Sequence, residues 1–294
     1  MKLAVIFTGG TISSCPSGGF LSPSEKTKTT LLEALDQDIR VEGFQPFYIL
    51  SEHLNGIYLT ELIKCAGERL SENYDGIIIT HGTDTLQYSA AALSIAFSDS
   101  KIPIVLVSSN YILSDKRSNR MSNFKYAAEF IKQKIGGVFV SYKNDSIPEI
   151  YTAESLLPHN AYSDRLSAID GAFGYFNSDG SFVKLKNQIK HKGAGTFTLS
   201  KTSPVLWLKA YAGMNYPKTD GYKAVLFESY HSGTLPTDDR DFIDFCKNCA
   251  VPIYLSGLDD EIRYESTKIY QQLNIVVLKK QSPIYSYISL WKSL

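Results

Sequence analysis

The 294-residue sequence predicts an α/β protein with a mainly parallel sheet. Three observations support this fold class: short β-branched runs, helical segments with one apolar face, and a regular alternation of the two along the chain. Residues 76–80 form the clearest strand, because their continuous apolar run is typical of a parallel strand covered on both faces. Residues 59–74 precede it and carry apolar side chains at the spacing of a helix that lies on a sheet.

The other elements continue this alternation in chain order. The first strand is predicted at residues 3–7. After residues 76–80 come a helix at 86–97, a strand at 102–107, a helix at 119–134 and a strand at 137–142, which make repeated βαβ units. Residues 177–180 predict a turn between short strands. A smaller α/β unit then has strands predicted at 205–208, 224–227, 252–255 and 275–278.

The alternation divides the chain into two predicted domains. The first is an amino-terminal α/β domain over residues 1–185, and a linker follows over residues 186–204. The second is a smaller carboxyl-terminal α/β domain over residues 205–294. A chain of this length is long enough to hold one large domain or two ordinary ones.

The composition is that of a soluble globular protein, with 44% hydrophobic and 20% charged residues. Thirty basic residues balance thirty acidic ones, so no overall charge favours nucleic acid or a membrane surface as a partner. No apolar run is long enough to span a membrane, and the run at residues 3–7 is too short for a signal peptide. We therefore expect a cytoplasmic protein.

The cysteines and histidines do not predict a metal or cofactor site. Four cysteines agree with a reducing compartment. Cys246 and Cys249 form a C-x-x-C pair inside a helix predicted at 237–250, but no second pair of cysteines or histidines stands at zinc spacing. We interpret the pair as inert, and we expect no cofactor.

Two turns that follow predicted strands carry the chemistry of the sequence. His81-Gly82-Thr83-Asp84-Thr85 places two hydroxyls, a carboxylate and an imidazole after the strand at 76–80. Thr8-Gly9-Gly10-Thr11 follows the first strand, and its glycines allow a tight turn and the close approach of a ligand. Open α/β sheets build their sites at the carboxyl ends of their strands. Neither G-x-G-x-x-G nor G-x-x-x-x-G-K-[ST] can be read here, which argues against phosphate binding.

The combination of TGGTI at residues 8–12 and HGTDT at residues 81–85 resembles the L-asparaginases of the bacterial type. The likeness covers most of the chain, since further resemblance is found at residues 104–109, 114–123, 212–214, 227–233, 256–257 and 281–294. It implies a larger amino-terminal domain with a flavodoxin-like parallel sheet, joined to a smaller α/β domain. It also implies assembly as a homodimer or homotetramer.

The resemblance further implies a mechanism in which a threonine hydroxyl attacks the side-chain amide of a small amino-acid substrate, and water then hydrolyses the acyl-enzyme. Thr11 is the expected nucleophile. Thr83 stands at the second threonine position, which binds the attacking water or the reacting amide, and Asp84 would hold the substrate α-ammonium and complete a second triad. Ser51 matches the position that binds the α-carboxylate. Glu52 follows it and could accept a hydrogen bond from an ammonium group.

Two catalytic positions of the family are occupied here by apolar residues. The lysine of the second triad falls at Leu156, or at Ser155 if the alignment has a one-residue gap, and no lysine occurs between Lys143 and Lys184. The tyrosine of the first loop is matched by Phe20, which lacks the hydroxyl needed to relay a proton. Loss of a general base typically lowers a rate by about two to four orders of magnitude, so we expect slow turnover.

The same residues can also be interpreted as having only structural roles. Threonine and serine after a strand often make local backbone hydrogen bonds, and Asp84 or Thr85 would be a good N-cap for the helix at 86–97. His81 is more readily interpreted as a structural histidine than as a general base.

Three functional hypotheses follow, in this order. The first is an asparaginase-like amidohydrolase, either slow or with acid–base groups relocated to residues such as Glu52, Glu154, Tyr111 and Tyr162. The second is a catalytically impaired homologue that binds an amino acid as a sensor or binding subunit. The third is a protein that keeps only the fold, which would not need Thr11, Thr83 and Asp84 together. A tRNA-dependent amidotransferase subunit of the archaeal type is expected least, because it would carry an additional amino-terminal domain before the first strand.

Overall fold

The computed structural model describes residues 1–10, 12, 14–17, 20–23, 26–33, 35–109, 111, 115–188, 191–258 and 264–294, and for residues 14–17, 20–23 and 26 it describes the backbone alone. These residues form two compact units, Met1–Lys201 and Thr202–Leu294. Both units are built from strands and helices that alternate along the chain, so the predicted α/β class is confirmed.

A mixed sheet forms the centre of the amino-terminal unit. In chain order the strands of this unit are β1 (Lys2–Phe7), β2 (Ser14–Ser17), β3 (Phe20–Pro23), β4 (Arg40–Phe44), β5 (Gly76–Thr80), β6 (Pro103–Val107), β7 (Gly137–Asn144), β8 (Ile147–Thr152), β9 (Gly174–Phe176) and β10 (Phe182–Lys184). The strand order of the sheet within the described chain is β10-β9-β8-β7-β6-β5-β1-β4, while β2 and β3 pair separately as a hairpin.

Five strands of this sheet, β4, β1, β5, β6 and β7, run parallel to one another. The last residues of β1, β5 and β6 are paired in register, Phe7 with Thr80 and Thr80 with Val107, and Val107 pairs with Ser141 within the longer strand β7. Because parallel strands all end at the same edge, the segments that follow them meet there, and we call this the carboxyl edge of the sheet. The strands β8, β9 and β10 extend the sheet by successive antiparallel pairings.

Helices cover both faces of the parallel strands. They are α1 (Lys26–Leu32), α2 (Gly56–Leu70), α3 (Leu86–Phe97) and α4 (Arg120–Ile131). All five residues of β5 are buried, as expected for a central strand between two helical layers. On one face, residues of α4 such as Phe124 and Phe130 join a single core with Val5, Ile78 and Val105 from the strands.

The helix α2 begins three residues earlier than the apolar stripe predicts. The side chain of Asn55 caps this end, since its Oδ1 accepts a hydrogen bond from the backbone N–H of Ile57 at 3.0 Å. A cap of this kind satisfies one of the free N–H groups at a helix start. Periodicity alone therefore placed the start too late, whereas Asn55 is the residue that marks it.

The segment from 191 to 201, part of the predicted linker, is hydrogen-bonded to the helices of the first unit. The backbone N–H of Leu199 donates to Thr60 Oγ1 at 2.9 Å, and Ser98 Oγ donates to the carbonyl of His191 at 2.6 Å. The N–H of Gly56 also donates to the carbonyl of Lys201 at 3.3 Å. This segment consequently lies against α2 and α3.

The carboxyl-terminal unit has its own sheet of parallel strands. These are β11 (Val205–Lys209), β12 (Ala224–Glu228), β13 (Ile253–Ser256) and β14 (Ile275–Val277), in that order within the described residues. The sequence predicted each of the four to within one residue at either end. In the described part of this unit, two α-helices accompany the sheet, α5 (Arg240–Asn248) and α6 (Pro283–Ser293).

The C-x-x-C pair lies on α5 and just after it. Burial raises the pKa of the Cys246 thiol to about 12, so it is protonated at neutral pH and is a weak nucleophile. The thiol of Cys249 donates to the carbonyl of Val251 at 3.3 Å. Among the described residues, none of the helices combines the length and the hydropathy needed to cross a bilayer.

The side chain of Asn123 on α4 joins the ends of β6 and β7. Its Nδ2 donates to the carbonyl of Ser108 at 2.7 Å, and its Oδ1 accepts from the backbone N–H of Lys143 at 2.7 Å. Asn123 is 1% exposed, so water cannot replace either bond. The carboxyl edge is thus held by a buried amide as well as by the strand pairing.

We expect Asn123→Ala to lower the free energy of unfolding by about 2 to 4 kcal/mol, because it removes the partner of the buried Ser108 carbonyl and of the partly buried Lys143 N–H. Ser122→Ala, on the neighbouring position of the same helix, is the control. Denaturant unfolding followed by circular dichroism measures both variants. Equal midpoints for the two would show that the Asn123 bonds do not hold the edge together.

Candidate active site

The two glycine turns touch each other at the carboxyl edge of the sheet. Gly10 has φ of +76°, and a Cβ there would lie 2.3 Å from the Cα of Gly82. A Cβ on Gly82 would in turn lie 2.4 Å from Ser51 Oγ. No side chain fits at such distances, so these glycines permit three segments of backbone to meet.

The first turn is also fastened to the chain just before Ser51. The N–H of Gly10 donates to the carbonyl of Ile49 at 2.9 Å, and the N–H of Ile49 donates to the carbonyl of Thr8 at 3.0 Å. Thr8 Oγ1 donates to the carbonyl of Thr80, the last residue of β5, at 2.7 Å. Bonds from the backbone and from the Thr8 hydroxyl therefore fix residues 8–10 against both neighbouring segments.

Ser51 and Asp84, predicted to bind the substrate, are brought together. Ser51 Oγ donates to Asp84 Oδ2 at 3.5 Å, and Thr85 Oγ1 donates to the carbonyl of Ser51 at 2.8 Å. Ser51 is buried, whereas Asp84 is exposed. The arrangement gives an exposed carboxylate beside a buried hydroxyl. Glu52 is exposed next to them, in a short 3₁₀ turn, Ser51–His53.

The structure does not show the side-chain N-cap that the sequence allowed for α3. Thr85 occupies the N-cap position of α3, but its side chain makes no capping hydrogen bond. Its hydroxyl instead reaches across to Ser51, as the carboxylate of Asp84 also does. Both side chains therefore face the neighbouring segment and not the start of their own helix.

Thr83 is buried, and its hydroxyl is already engaged. Its Oγ1 donates to the carbonyl of Ser109, just beyond the end of β6, at 3.0 Å. This bond orients the hydroxyl so that the lone pairs on its oxygen can accept a hydrogen bond from a ligand. A base could remove the proton only after the bond to Ser109 is broken.

His81 is a structural histidine between the turn and α3. The carbonyl of Gly82 can only accept, so the contact at 2.8 Å places the ring proton on Nδ1, and Nε2 accepts from Ser89 Oγ at 2.7 Å. Burial lowers the pKa of His81 to about 4 from its ordinary 6.5. The ring is consequently neutral at physiological pH and holds the turn in place.

Two predicted catalytic positions lie wholly or partly outside the described residues. Thr11, the expected nucleophile, lies outside the described residues, and so does the side chain of Phe20. The two neighbours of Thr11, Gly10 and Ile12, are described and buried.

The sequence model of the asparaginase family, in its amino-terminal part, matches residues 2–163. The chain belongs to the asparaginase family. It is 30% identical over 262 residues to an L-asparaginase of Thermococcus kodakarensis, covering 85% of this chain and 77% of that protein. It is also 27% identical over 280 residues to a subunit of the glutamyl-tRNA(Gln) amidotransferase of Methanococcus vannielii, where the match covers 87% of this chain and 64% of that longer protein.

A solved structure shows the same fold. The thermostable L-asparaginase from Thermococcus kodakarensis superposes with a TM-score of 0.79 at 22% identity, covering 94% of this chain and 87% of that one. The relatives thus bear two different names, L-asparaginase and subunit of the glutamyl-tRNA(Gln) amidotransferase.

Leu156 and Ser155 are the two residues that can match the lysine position of the asparaginases, and both have structural contacts. Leu156 is 1% exposed and forms a β-bridge with Ala168. Ser155 Oγ donates to the carbonyl of Thr152 at 2.8 Å, within its own turn. Neither residue can replace the cationic group of a lysine.

Three residues that the sequence offers as alternative acid–base groups, Glu154, Tyr111 and Tyr162, have no hydrogen bond to Ser51, Thr83 or Asp84 among the described contacts. Glu154 accepts from Ser94 Oγ at 3.1 Å, eight residues along α3 and so about 12 Å from the start of this helix. Burial raises the pKa of Glu154. Tyr111 donates to Asp164 Oδ2 at 2.6 Å, and this bond raises the pKa of the phenol, which makes it a poorer proton donor. Tyr162 is fully exposed.

Sequence reasoning missed Arg120, the first residue of α4. Its side chain is fully buried, and Nη1 donates to the carbonyl of Ile12. A signal was present, because Arg120 lies on the same helical stripe as Asn123, Phe124 and Ala127, all of which are buried. An arginine on the inner face of a helix marks a buried polar contact.

The neutral state of His81 predicts a pH dependence of stability. Its pKa of about 4 in the folded protein lies below the ordinary 6.5, so acid protonates the unfolded chain first and favours it. The contribution of His81 is complete above pH 6.5 and is lost as the pH falls towards 4. It amounts to about 3 kcal/mol.

We expect His81→Gln to flatten this part of the curve of unfolding free energy against pH, measured by denaturant titration between pH 4 and 7. His231→Gln, a change at an exposed histidine, is the control and should leave the slope as it is. An unchanged slope in His81→Gln would mean that other groups cause the acid sensitivity.

Proposed function

We propose that this asparaginase-family protein hydrolyses L-asparagine, or a related small amide, to the acid and ammonia with Thr11 as the nucleophile. The observation that carries the proposal is the contact between Gly10 and Gly82. Thr11 and Thr83 directly follow these glycines, and consecutive Cα atoms are about 3.8 Å apart. The contact therefore supports a common site for the two threonines.

In this proposal Asp84 and Ser51 hold the two charged groups of the amino-acid substrate. The exposed carboxylate of Asp84 pairs with the α-ammonium, and such charge-assisted hydrogen bonds are among the stronger ones. The hydroxyl of Ser51, which donates to Asp84, turns to donate to the α-carboxylate. Glu52, exposed in the next position, accepts from the ammonium. The side-chain amide then points towards the threonines.

The reaction proceeds by attack of the Thr11 hydroxyl on the amide carbon, with release of ammonia and then hydrolysis of the acyl-enzyme by water. Thr83 accepts a hydrogen bond from the amide or the attacking water, because its own proton is held by the carbonyl of Ser109. Turnover is slow, since Leu156 supplies no cation and Phe20 no hydroxyl.

A second candidate is an amino-acid-binding subunit. Two observations favour it: the Ser51 and Asp84 pair is present while the lysine is absent, and relatives bear the name of an amidotransferase subunit. In that role the chain binds the amino acid and works with other subunits.

For the enzyme, we propose a cytoplasmic location and assembly as a homodimer or homotetramer. Light scattering of the purified protein distinguishes the dimer from the tetramer.

We expect the purified protein to release ammonia from asparagine with kcat/KM below about 10⁴ M⁻¹s⁻¹, because the two acid–base groups are replaced. Thr11→Val should abolish this activity, since it removes the nucleophile but keeps the shape of the side chain. Thr29→Val, at an exposed position of α1, is the control. A coupled ammonia assay over asparagine, glutamine and other small amides measures all three proteins. Equal rates for wild type and Thr11→Val would refute the proposed nucleophile.

Aspartate should bind even where turnover is weak, because binding does not require the missing acid–base groups. Saturation at a hundred times Kd stabilises a fold by about 2.7 kcal/mol, which a thermal shift detects. We expect Asp84→Asn to weaken binding by about tenfold or more in calorimetry, through loss of the charged partner of the ammonium. Asp38→Asn changes an exposed carboxylate elsewhere and should bind as the wild type does. No heat or shift with millimolar aspartate, asparagine or glutamine would exclude the amino-acid pocket.

A further inference from the structure

Arg120 is a fully buried arginine whose side chain spans two parts of the amino-terminal unit. It lies at the start of α4, and its Nη1 donates to the carbonyl of Ile12, 108 residues earlier in the chain. An arginine side chain keeps its charge under all ordinary conditions. Burial of a charge is costly unless strong hydrogen bonds compensate for it, so this contact has a clear structural purpose.

The position of Arg120 on its helix adds to that cost. The start of a helix carries partial positive charge, so a cation there is electrostatically unfavourable. An apolar residue would suit this buried site better, as Phe124 does one turn further along the same face. A residue that is unfavourable both for its burial and for its place on the helix points to a role outside the helix.

The carbonyl that Arg120 holds belongs to the residue after Thr11. On the other side, the N–H of Gly10, the residue before Thr11, donates to the carbonyl of Ile49 at 2.9 Å. Both neighbours of the expected nucleophile are thus fixed, one by the segment that leads to Ser51 and one by α4. Ile12 itself is fully buried in the core beneath the sheet.

We propose that Arg120 is the positioning residue of the nucleophile, which acts through the carbonyl of Ile12. This inference rests on the proposed function. The planar guanidinium is a rigid donor, and it fixes the direction of the carbonyl of Ile12, one peptide group beyond Thr11. Attack on an amide depends steeply on the placement of the hydroxyl, and a displacement of about 1 Å can lower a rate by about a hundredfold.

The test compares Arg120→Met and Arg120→Gln with the wild type. Both changes remove the charged fork and keep much of the side-chain length. Arg240→Met is the matched control, because Arg240 is likewise the first residue of a helix, α5, but is exposed. Steady-state kinetics with asparagine gives kcat and KM, and thermal unfolding gives the folded fraction at the assay temperature.

A fall in kcat of about ten- to a hundredfold, with KM within about twofold and the protein fully folded, supports the proposal. Arg120→Lys should restore part of kcat relative to Arg120→Met, since an ammonium can donate to the same carbonyl without the planar geometry. A loss of activity that only follows the folded fraction, or a rise in KM alone, overturns it. Should Met and Gln both fail to fold, Arg120→Lys takes their place, and a kcat equal to that of the wild type overturns the proposal.

A second measurement does not depend on turnover. Hydrogen–deuterium exchange of the peptide that covers residues 8–14 should be faster in the Arg120 variants than in the wild type, while the peptide over α5 stays unchanged. If the wild type releases no ammonia from any amide, the proposed hydrolysis fails, and the exchange then tests only whether Arg120 holds residues 8–14 in place. Equal exchange of residues 8–14 in all variants would then overturn that role.

Discussion

The close contact of Gly10 with Gly82 is the constraint on which the candidate site depends. The turns after β1 and β5 come into backbone contact here, because a Cβ on Gly10 would collide with the backbone of Gly82 and a Cβ on Gly82 would collide with Ser51. The same contact sets the place of Ser51, because its side chain packs directly against Gly82. The glycine contact therefore places the two turns and Ser51, and hydrogen bonds then orient the side chains of Ser51, Thr83 and Asp84.

Three buried polar side chains stabilise the turns and strand ends at the carboxyl edge by joining them to the helices. His81 joins the second turn to α3 through Ser89, and Asn123 joins the ends of two strands to α4. Arg120 reaches from α4 to the first turn. All three of these side chains are buried, so each bond is formed where water cannot compete for it. The outer residues Asp84 and Glu52, in contrast, are exposed, as suits groups that meet a charged ligand.

The sequence predicted much of this fold because the parallel strands are buried on both faces and read as uninterrupted apolar runs, as at residues 76–80. It did not predict β4 or β8, since Arg40–Phe44 and Ile147–Thr152 mix polar and apolar residues without a clear period. The pairing of Ser51 with Asp84 could be expected only through the family resemblance. The sequence did not predict the role of Arg120, because one polar residue hardly alters the apolar periodicity of its helix. Its partner is a backbone carbonyl that lies far away in the chain.

One of the two edges of the larger sheet has a consequence for how copies of this protein can meet. The strand β4 lies at this edge, and Glu42 stands in its middle. Lys2 Nζ pairs with the Glu42 carboxylate at 2.9 Å, and the hydroxyl of Tyr74 also donates to it. Charged residues on an outer strand oppose the addition of a strand from another molecule, and so protect against aggregation. Extension of the sheet at β4 by a strand of another copy is therefore disfavoured.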